Sequence, residues 1–167
     1  SYAHRFWMEI SHYEPLFHPI TTKISSNEQR NSKSRLNQCK TFGYGQSIQA
    51  QREAETNGYD KGLLLSTTGE VCCGTTGNLL IKRNNQWLTP PLRSGCLPGI
   101  MRGRGLKKGI VKIAHISAIP EEDDEWLVIN SLSCHPIYKV NNHILKIYKS
   151  PKTLWNYLLS ELSSKTI

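Results

Sequence analysis

Apolar residues come in short bursts along this chain, not in long arcs, and the bursts predict strands more often than helices. KGLLLST (61–67) reads as a buried strand, followed by a Thr68-Gly69 turn and a short strand over Glu70–Cys73. NLLIKR (78–83) and QWLTP (86–90), joined at Asn84-Asn85, predict a hairpin. WLVINSL, PIYKV and HILKIY are later strand candidates. His4–Ile10 alternates loosely and reads as a first strand, with Ile20–Ile24 a second. The polar stretch Ser25–Lys40 reads as surface loop or short helix. Helix signals appear in three places. Tyr44–Asn57 is rich in helix formers and stops at Gly58, a good residue just past a helix end. A helix is predicted from about Ile100 behind Pro98-Gly99, although Gly103, Gly105 and Gly109 weaken it. Ser150 and Pro151 open a last helix with Leu154, Trp155, Leu158, Leu159 and Leu162 on its apolar face. Strands and helices mix without a clean βαβ repeat. The expected fold class is therefore α/β or α+β, with an irregular α/β barrel as its form.

Composition narrows this picture. The 167 residues are 38% hydrophobic and 20% charged, enough for one domain with its own core and no sign of disorder. No run of about 18 apolar residues supports a membrane span. The first residues, SYAHRFWMEI, lack a signal-peptide plan. The chain begins with Ser, which suggests a processed or trimmed product, and the expected location is cytoplasmic. The formal charge of +8 is spread thinly over pairs such as Lys82 and Arg83. It reads as a solvated basic face that attracts small anions, with no zinc-finger or RNA-binding signature and no nucleic-acid partner expected. Five cysteines, an odd number, include the adjacent Cys72 and Cys73 and no C-x-x-C pair. That pattern predicts thiols in a reducing compartment, without disulfides or a metal site.

Three features bear on chemistry. Lys40 is flanked by Cys39, Thr41 and Phe42, just before a glycine-containing turn into a helix. A lysine in a semi-apolar cleft loses its proton more readily and can attack an aldehyde. CGTTGN (73–78) offers backbone and hydroxyl donors in a tight loop, though taken alone it reads better as an ordinary hairpin-approach loop. LPGIMR (97–102) places Gly99 at a helix start, where free N–H groups and the helix dipole favour an anion.

In this order the three resemble the class IV pyridoxal-phosphate aminotransferase family, from about Asn37 to Tyr138. Lys40 leads to Glu53-Ala54 and Gly58; Asp60, Leu63, Leu64 and Leu65 match its strand; Gly69-Glu70-Val71 matches its turn. Asn78-Leu79, Thr89-Pro90 and Leu97–Arg102 complete the pattern. The resemblance implies the D-amino-acid aminotransferase-like fold. Residues 1–167 would form its larger, C-terminal domain, with the smaller N-terminal domain absent from this chain. It also implies pyridoxal 5'-phosphate as cofactor, a small-molecule substrate and a homodimer. Lys40 falls on the Schiff-base lysine, and Gly99, Ile100 and Met101 on the helix start that holds the cofactor phosphate. Ser131 and Leu132 fall near a second phosphate contact. Tyr44 lies close to a tyrosine that binds the pyridoxal oxygen in some relatives.

Within the family, Met101, the Cys72-Cys73 pair and the NSL segment (130–132) are most like 4-amino-4-deoxychorismate lyase. The activity implied is conversion of 4-amino-4-deoxychorismate to 4-aminobenzoate and pyruvate, a step in folate biosynthesis. The alternatives are a branched-chain or D-amino-acid aminotransferase and a catalytically inert fragment of the same fold. One departure stands out. The family glutamate that pairs with the pyridine nitrogen lies five residues before the asparagine, where this chain has Cys73; Glu70 is the nearest carboxylate. A cysteine there makes the cofactor a weaker electron sink. That handicaps transamination more than a lyase whose product becomes aromatic. His115 and His135 read as structural, Trp87, Trp126 and Trp155 as core, and Glu121–Glu125 as a solvated turn. Arg102 and Arg104 read as surface groups or contacts for substrate carboxylates.

Overall fold

Side chains alternate across a β-strand, and here that alternation separates two apolar layers. Leu79 and Ile81 point one way with Trp126, Val128 and Ile137. Leu80, Leu127 and Ile129 point the other way, with Met101, Leu154, Trp155 and Leu158. The computed structural model, which describes residues 6–161, shows why both faces are apolar. The strands are β1 (Ile20–Arg30), β2 (Lys61–Ser66), β3 (Val71–Gly74), β4 (Asn78–Arg83), β5 (Gln86–Thr89), β6 (Val111–Ile113), β7 (Glu125–Ile129), β8 (Cys134–Val140) and β9 (His143–Ile144). They hydrogen-bond in the order β3-β2-β1-β8-β7-β4-β5-β6, and β3 also pairs with β4. That extra pairing closes β1, β2, β3, β4, β7 and β8 into a barrel. It rests on one residue pair, Cys73 with Asn78. The first layer fills the barrel, and the second lies between its wall and two helices.

Those helices are α2 (Ile100–Lys107) and α3 (Pro151–Leu159); α1 (Gly45–Thr56) packs elsewhere on the wall. Helix α1 buries only small residues, Ser47, Ala50 and Ala54. Small residues let it sit almost against β2: a Cβ on Gly62 would lie 2.7 Å from the Ala50 carbonyl oxygen. Helix α2 forms despite Gly103 and Gly105. Gly105 lets it approach β6, because a Cβ there would meet Val111 Cγ2 at 2.6 Å. Arg104 of α2 caps the far end of α3, donating to the Leu158, Leu159 and Ser160 carbonyls.

Several expectations need correction. Residues 6–10 form no strand, and His4 and Arg5 lie outside the described residues. Ser25–Arg30, expected as loop, continues β1, while a single 3-10 turn covers Arg35–Gln38. The polar strand holds because α1 satisfies it: Glu53 accepts from Ser26 N at 2.8 Å and from Ser25 Oγ. Strand β6 was not anticipated. Ser150 makes no side-chain cap bond; Leu159 is exposed and Leu162 is outside the described residues. The acidic run is not simply solvated. Asp124 is buried and holds Arg83 in a two-point ion pair at 2.9 and 2.8 Å. Arg102 is buried too, donating to the Pro90 carbonyl at 2.8 Å.

Candidate functional site

Asn78 lies where the barrel closes, and three turns meet around it. Its amide donates to the Leu97 carbonyl at 2.8 Å. Its side chain packs so closely on Gly99 that a Cβ there would lie 2.0 Å from Asn78 Oδ1. The loop of Gly74–Gly77 lies beside it, and a Cβ on Gly77 would meet the Ile129 carbonyl oxygen at 2.7 Å. Asn130 ties in the third turn: it donates to the Thr76 carbonyl at 3.0 Å and accepts from Leu132 N at 2.7 Å. Trp155 fixes the Asn130 carbonyl from α3. The segments 74–77, 97–101 and 130–132 thus converge through two asparagines, Asn78 of the Asn-Leu pair and Asn130 of the NSL segment, whose packing roles the sequence did not show. Their signal was faint: each is a polar residue at the edge of an apolar strand.

Helix α2 begins at this point with Gly99 as its N-cap. No side chain caps it, and its first turn holds no acidic residue. Its leading N–H groups, those of Ile100 and Met101, receive no side-chain cap, which suits an anion there. Ile100 is exposed and Met101 is buried against the barrel wall. Ser131 and Leu132 are exposed on the neighbouring turn. A phosphate-bearing cofactor fits this donor set: free amides at a helix start, no competing carboxylate, and a glycine whose missing side chain Asn78 fills.

Lys40 lies in the connection between β1 and α1. Asn37, three residues earlier, donates to the Asn31 carbonyl at 2.6 Å. A Cβ on Gly95 would come within 3.0 Å of Asn37 Nδ2, so this connection leans on the loop that leads to Gly99. Lys40 itself is exposed, and so are its neighbours Cys39, Thr41 and Phe42. The semi-apolar cleft expected around its amine is therefore not built by the described residues. Tyr44 is the N-cap of α1 and half exposed, with no side-chain cap bond.

Cys73 and Glu70 part company. Glu70 is turned to Ser94, whose hydroxyl donates to it at 2.6 Å, and to His115, 3.7 Å away. Burial raises its pKa, but hydrogen bonds from Ser94 and Thr68 outweigh that and hold it below the usual carboxylate range. Cys73 joins Ala50, Leu64, Cys72 and Cys96 in a buried cluster under α1. A bulge explains why adjacent cysteines share a face. Leu64 pairs with Cys73 and Leu65 with Val71, so Cys72 is an extra residue in β3. The neighbouring Cys72 thiol first, and the charge of Arg30 after it, hold Cys73 below an ordinary thiol against the effect of burial. Cys72 is correspondingly raised. His135 is buried, with Nδ1 against the His18 carbonyl; burial lowers its pKa, as suits a structural imidazole. The three tryptophans of the strands and last helix, Trp87, Trp126 and Trp155, are core.

The fold is thus a closed α/β barrel whose helix α2 starts without a side-chain cap beside the barrel closure. The amino-transferase class IV family model matches residues 3–140, and the chain belongs to that family. Its members are pyridoxal-phosphate-dependent enzymes. The chain is 30% identical over 133 residues to a branched-chain-amino-acid aminotransferase assigned in Aquifex aeolicus, covering 74% of this chain and 42% of that one. A protein of Legionella pneumophila assigned as a 4-amino-4-deoxychorismate lyase superposes with TM-score 0.77 at 28% identity, over 89% of this chain and 58% of the other. The T.th. branched-chain amino acid aminotransferase, complexed with N-(5'-phosphopyridoxyl)-L-glutamate, shares the fold at TM-score 0.73 and 20% identity, over 84% and 51% of the two chains. The chain thus spans about half the length of these relatives. No helix among the described residues is long and apolar enough to cross a membrane.

Proposed function

We propose that this chain is the larger domain of a pyridoxal-phosphate lyase that converts 4-amino-4-deoxychorismate to 4-aminobenzoate and pyruvate in the cytoplasm. The reading is supported above all by the convergence at Asn78. There the barrel closure, the uncapped start of α2 and the loop touching the Lys40 connection come together. The amides of Ile100 and Met101 would hold the cofactor phosphate, with the Ser131-Leu132 turn beside them. Tyr44 and Cys73 would contact the ring. Lys40 would anchor the cofactor covalently. When bound, the cofactor supplies an electron-withdrawing ring that stabilises negative charge on the substrate carbon. Lys40, once free, would take the proton from the substrate carbon bearing the nitrogen and return one to the departing enolpyruvyl group. The exposed face around Lys40 fits a site completed by a smaller domain and by a second subunit of a homodimer.

The likeness to the Legionella protein and the cysteine in place of the ring-pairing glutamate favour the lyase. The Aquifex relative favours the competing reading, an aminotransferase for branched-chain or D-amino acids, which uses the same Lys40 and cradle. Release of pyruvate and 4-aminobenzoate, measured against glutamate-dependent amino transfer, separates the two. Borohydride reduction with added pyridoxal phosphate should leave a phosphopyridoxyl mass on Lys40 of the full protein and none in Lys40→Ala. Failure to label Lys40 leaves only the inert reading.

A further inference from the structure

Arg102, the third residue of α2, carries a positive charge into the interior with little to balance it. It is only 3% exposed. Its Nη2 donates to the Pro90 carbonyl at 2.8 Å, while its Nε is buried with no hydrogen-bond partner among the described residues. No ion pair among the described residues includes it. Burial depresses its pKa, yet a guanidinium stays protonated inside a protein. Desolvating an unpaired cation is costly, so this one calls for an anion.

The start of α2 is where that anion fits. The first bond inside the helix runs from Gly103 N to the Gly99 carbonyl at 2.9 Å, so the amides of Ile100, Met101 and Arg102 all lie ahead of it. Side chains on a helix lean back towards its N-terminus, which carries the Arg102 stem towards those amides. The groups it meets stand directly behind the helix start. Pro90 follows Thr89, whose hydroxyl donates to the carbonyl of Leu79, the neighbour of Asn78, at 2.9 Å. Cys96, on the loop that leads to Gly99, brings its sulfur to 3.8 Å from the same Pro90 carbonyl. No protein anion competes there. The first turn of α2 holds no acidic residue, and the Asn78 side chain that packs on Gly99 is neutral. Glu70, the carboxylate bonded to this loop, is held by Ser94 and faces His115.

We propose that Arg102 is a positioning residue for a phosphate at the start of α2: its buried charge draws the anion onto the Ile100 and Met101 amides, and the anion neutralises the guanidinium in return. In so enclosed a place the attraction is weakly screened by solvent and salt. That the phosphate belongs to pyridoxal phosphate rests on the function proposed above, whereas the charge pairing does not.

The test is thermal unfolding of the full protein with and without inorganic phosphate. Phosphate at one hundred times its Kd should raise the wild-type midpoint by about 5 °C. Arg102→Met removes the charge at similar volume, and Arg102→Gln replaces it if that protein does not fold. Without ligand the uncharged variant should melt at or above the wild-type midpoint, because an uncompensated buried cation is gone. Its affinity for phosphate should fall about tenfold or more, and Arg102→Lys should restore most of the loss. Unchanged phosphate affinity in the uncharged variant overturns the proposal, as does a wild type that gains nothing from phosphate. A lower midpoint without ligand, or failure of both variants to fold, marks Arg102 as structural and overturns it too. Pyridoxal phosphate and pyridoxal, used in place of phosphate, identify the source of the anion: the variant should lose affinity for the first and keep it for the second. Borohydride trapping on Lys40 separates the two readings. A phosphate response that depends on Arg102, with Lys40 untrapped, removes the proposed function and leaves the charge pairing; trapping with phosphate indifferent to Arg102 does the reverse.

Discussion

Asp124 shows how much one side chain can alter the reading of a segment. In the sequence it is one of five acidic residues in a row of EEDDE. In the fold it is buried, grips Arg83 at two points and accepts from the Trp126 indole at 3.0 Å. Burial alone would raise its pKa; the bonds from Arg83, Trp126 and the Glu121 backbone outweigh it and leave the pKa depressed. A depressed carboxylate stabilises the fold above its unfolded pKa and loses that contribution as pH falls through the folded value. Asp124→Asn should therefore lower stability at neutral pH by about 3 kcal/mol, as for a broken buried pair. It should also flatten the acid limb of stability measured by urea denaturation from pH 7 downwards. Equal acid sensitivity in the two proteins would show that Asp124 carries none of it. Nothing in a run of like charges says which member turns inward, because the partner, Arg83, is supplied by another strand.

At the scale of elements, glycines set the spacing of the site. Gly99 is extended, with φ −67 and ψ 149, so any residue could adopt its backbone. What forbids a side chain is Asn78. Gly99→Ala should push the Asn78 amide off the Leu97 carbonyl and cost about 1–3 kcal/mol as an overpacked contact. Hydrogen exchange of the first α2 amides should rise in that variant while α3 amides are unchanged. Protection in α2 equal to wild type would mean that Asn78 does not hold this helix start. The helices α1, α2 and α3 and the β4–β5 hairpin were legible because their signals are local: caps, breakers and period. Strand Ser25–Arg30 and the β3 bulge were not. The first owes its form to Glu53 of α1, the second to its register against β2, and neither is a property of the segment itself.

On the scale of the molecule, the barrel wall is shared by both apolar layers. Leu79 looks inward and Leu158 packs from outside on the same strands. Leu79→Ala and Leu158→Ala should each remove about 2–5 kcal/mol. Each should also shift one common unfolding transition, seen alike by circular dichroism and tryptophan fluorescence. Two separate transitions would mean that α2 and α3 form a layer independent of the barrel.

The sequence by itself determined the family, the mixed α/β class, most strands and helices, and the candidates Lys40, Gly99–Met101 and Ser131-Leu132. These depend on composition, local period and motif order, all carried by neighbours in the chain. Only the tertiary structure decided that Cys73 and Asn78 close the barrel, that Asn78 and Asn130 draw three turns together, and that Glu70 faces Ser94 and His115. It also placed Lys40 in the open and Arg30 against Ser47 of α1. Each of those outcomes depends on strand register and on groups far apart in the chain, and a register is settled only when all the strands pack at once.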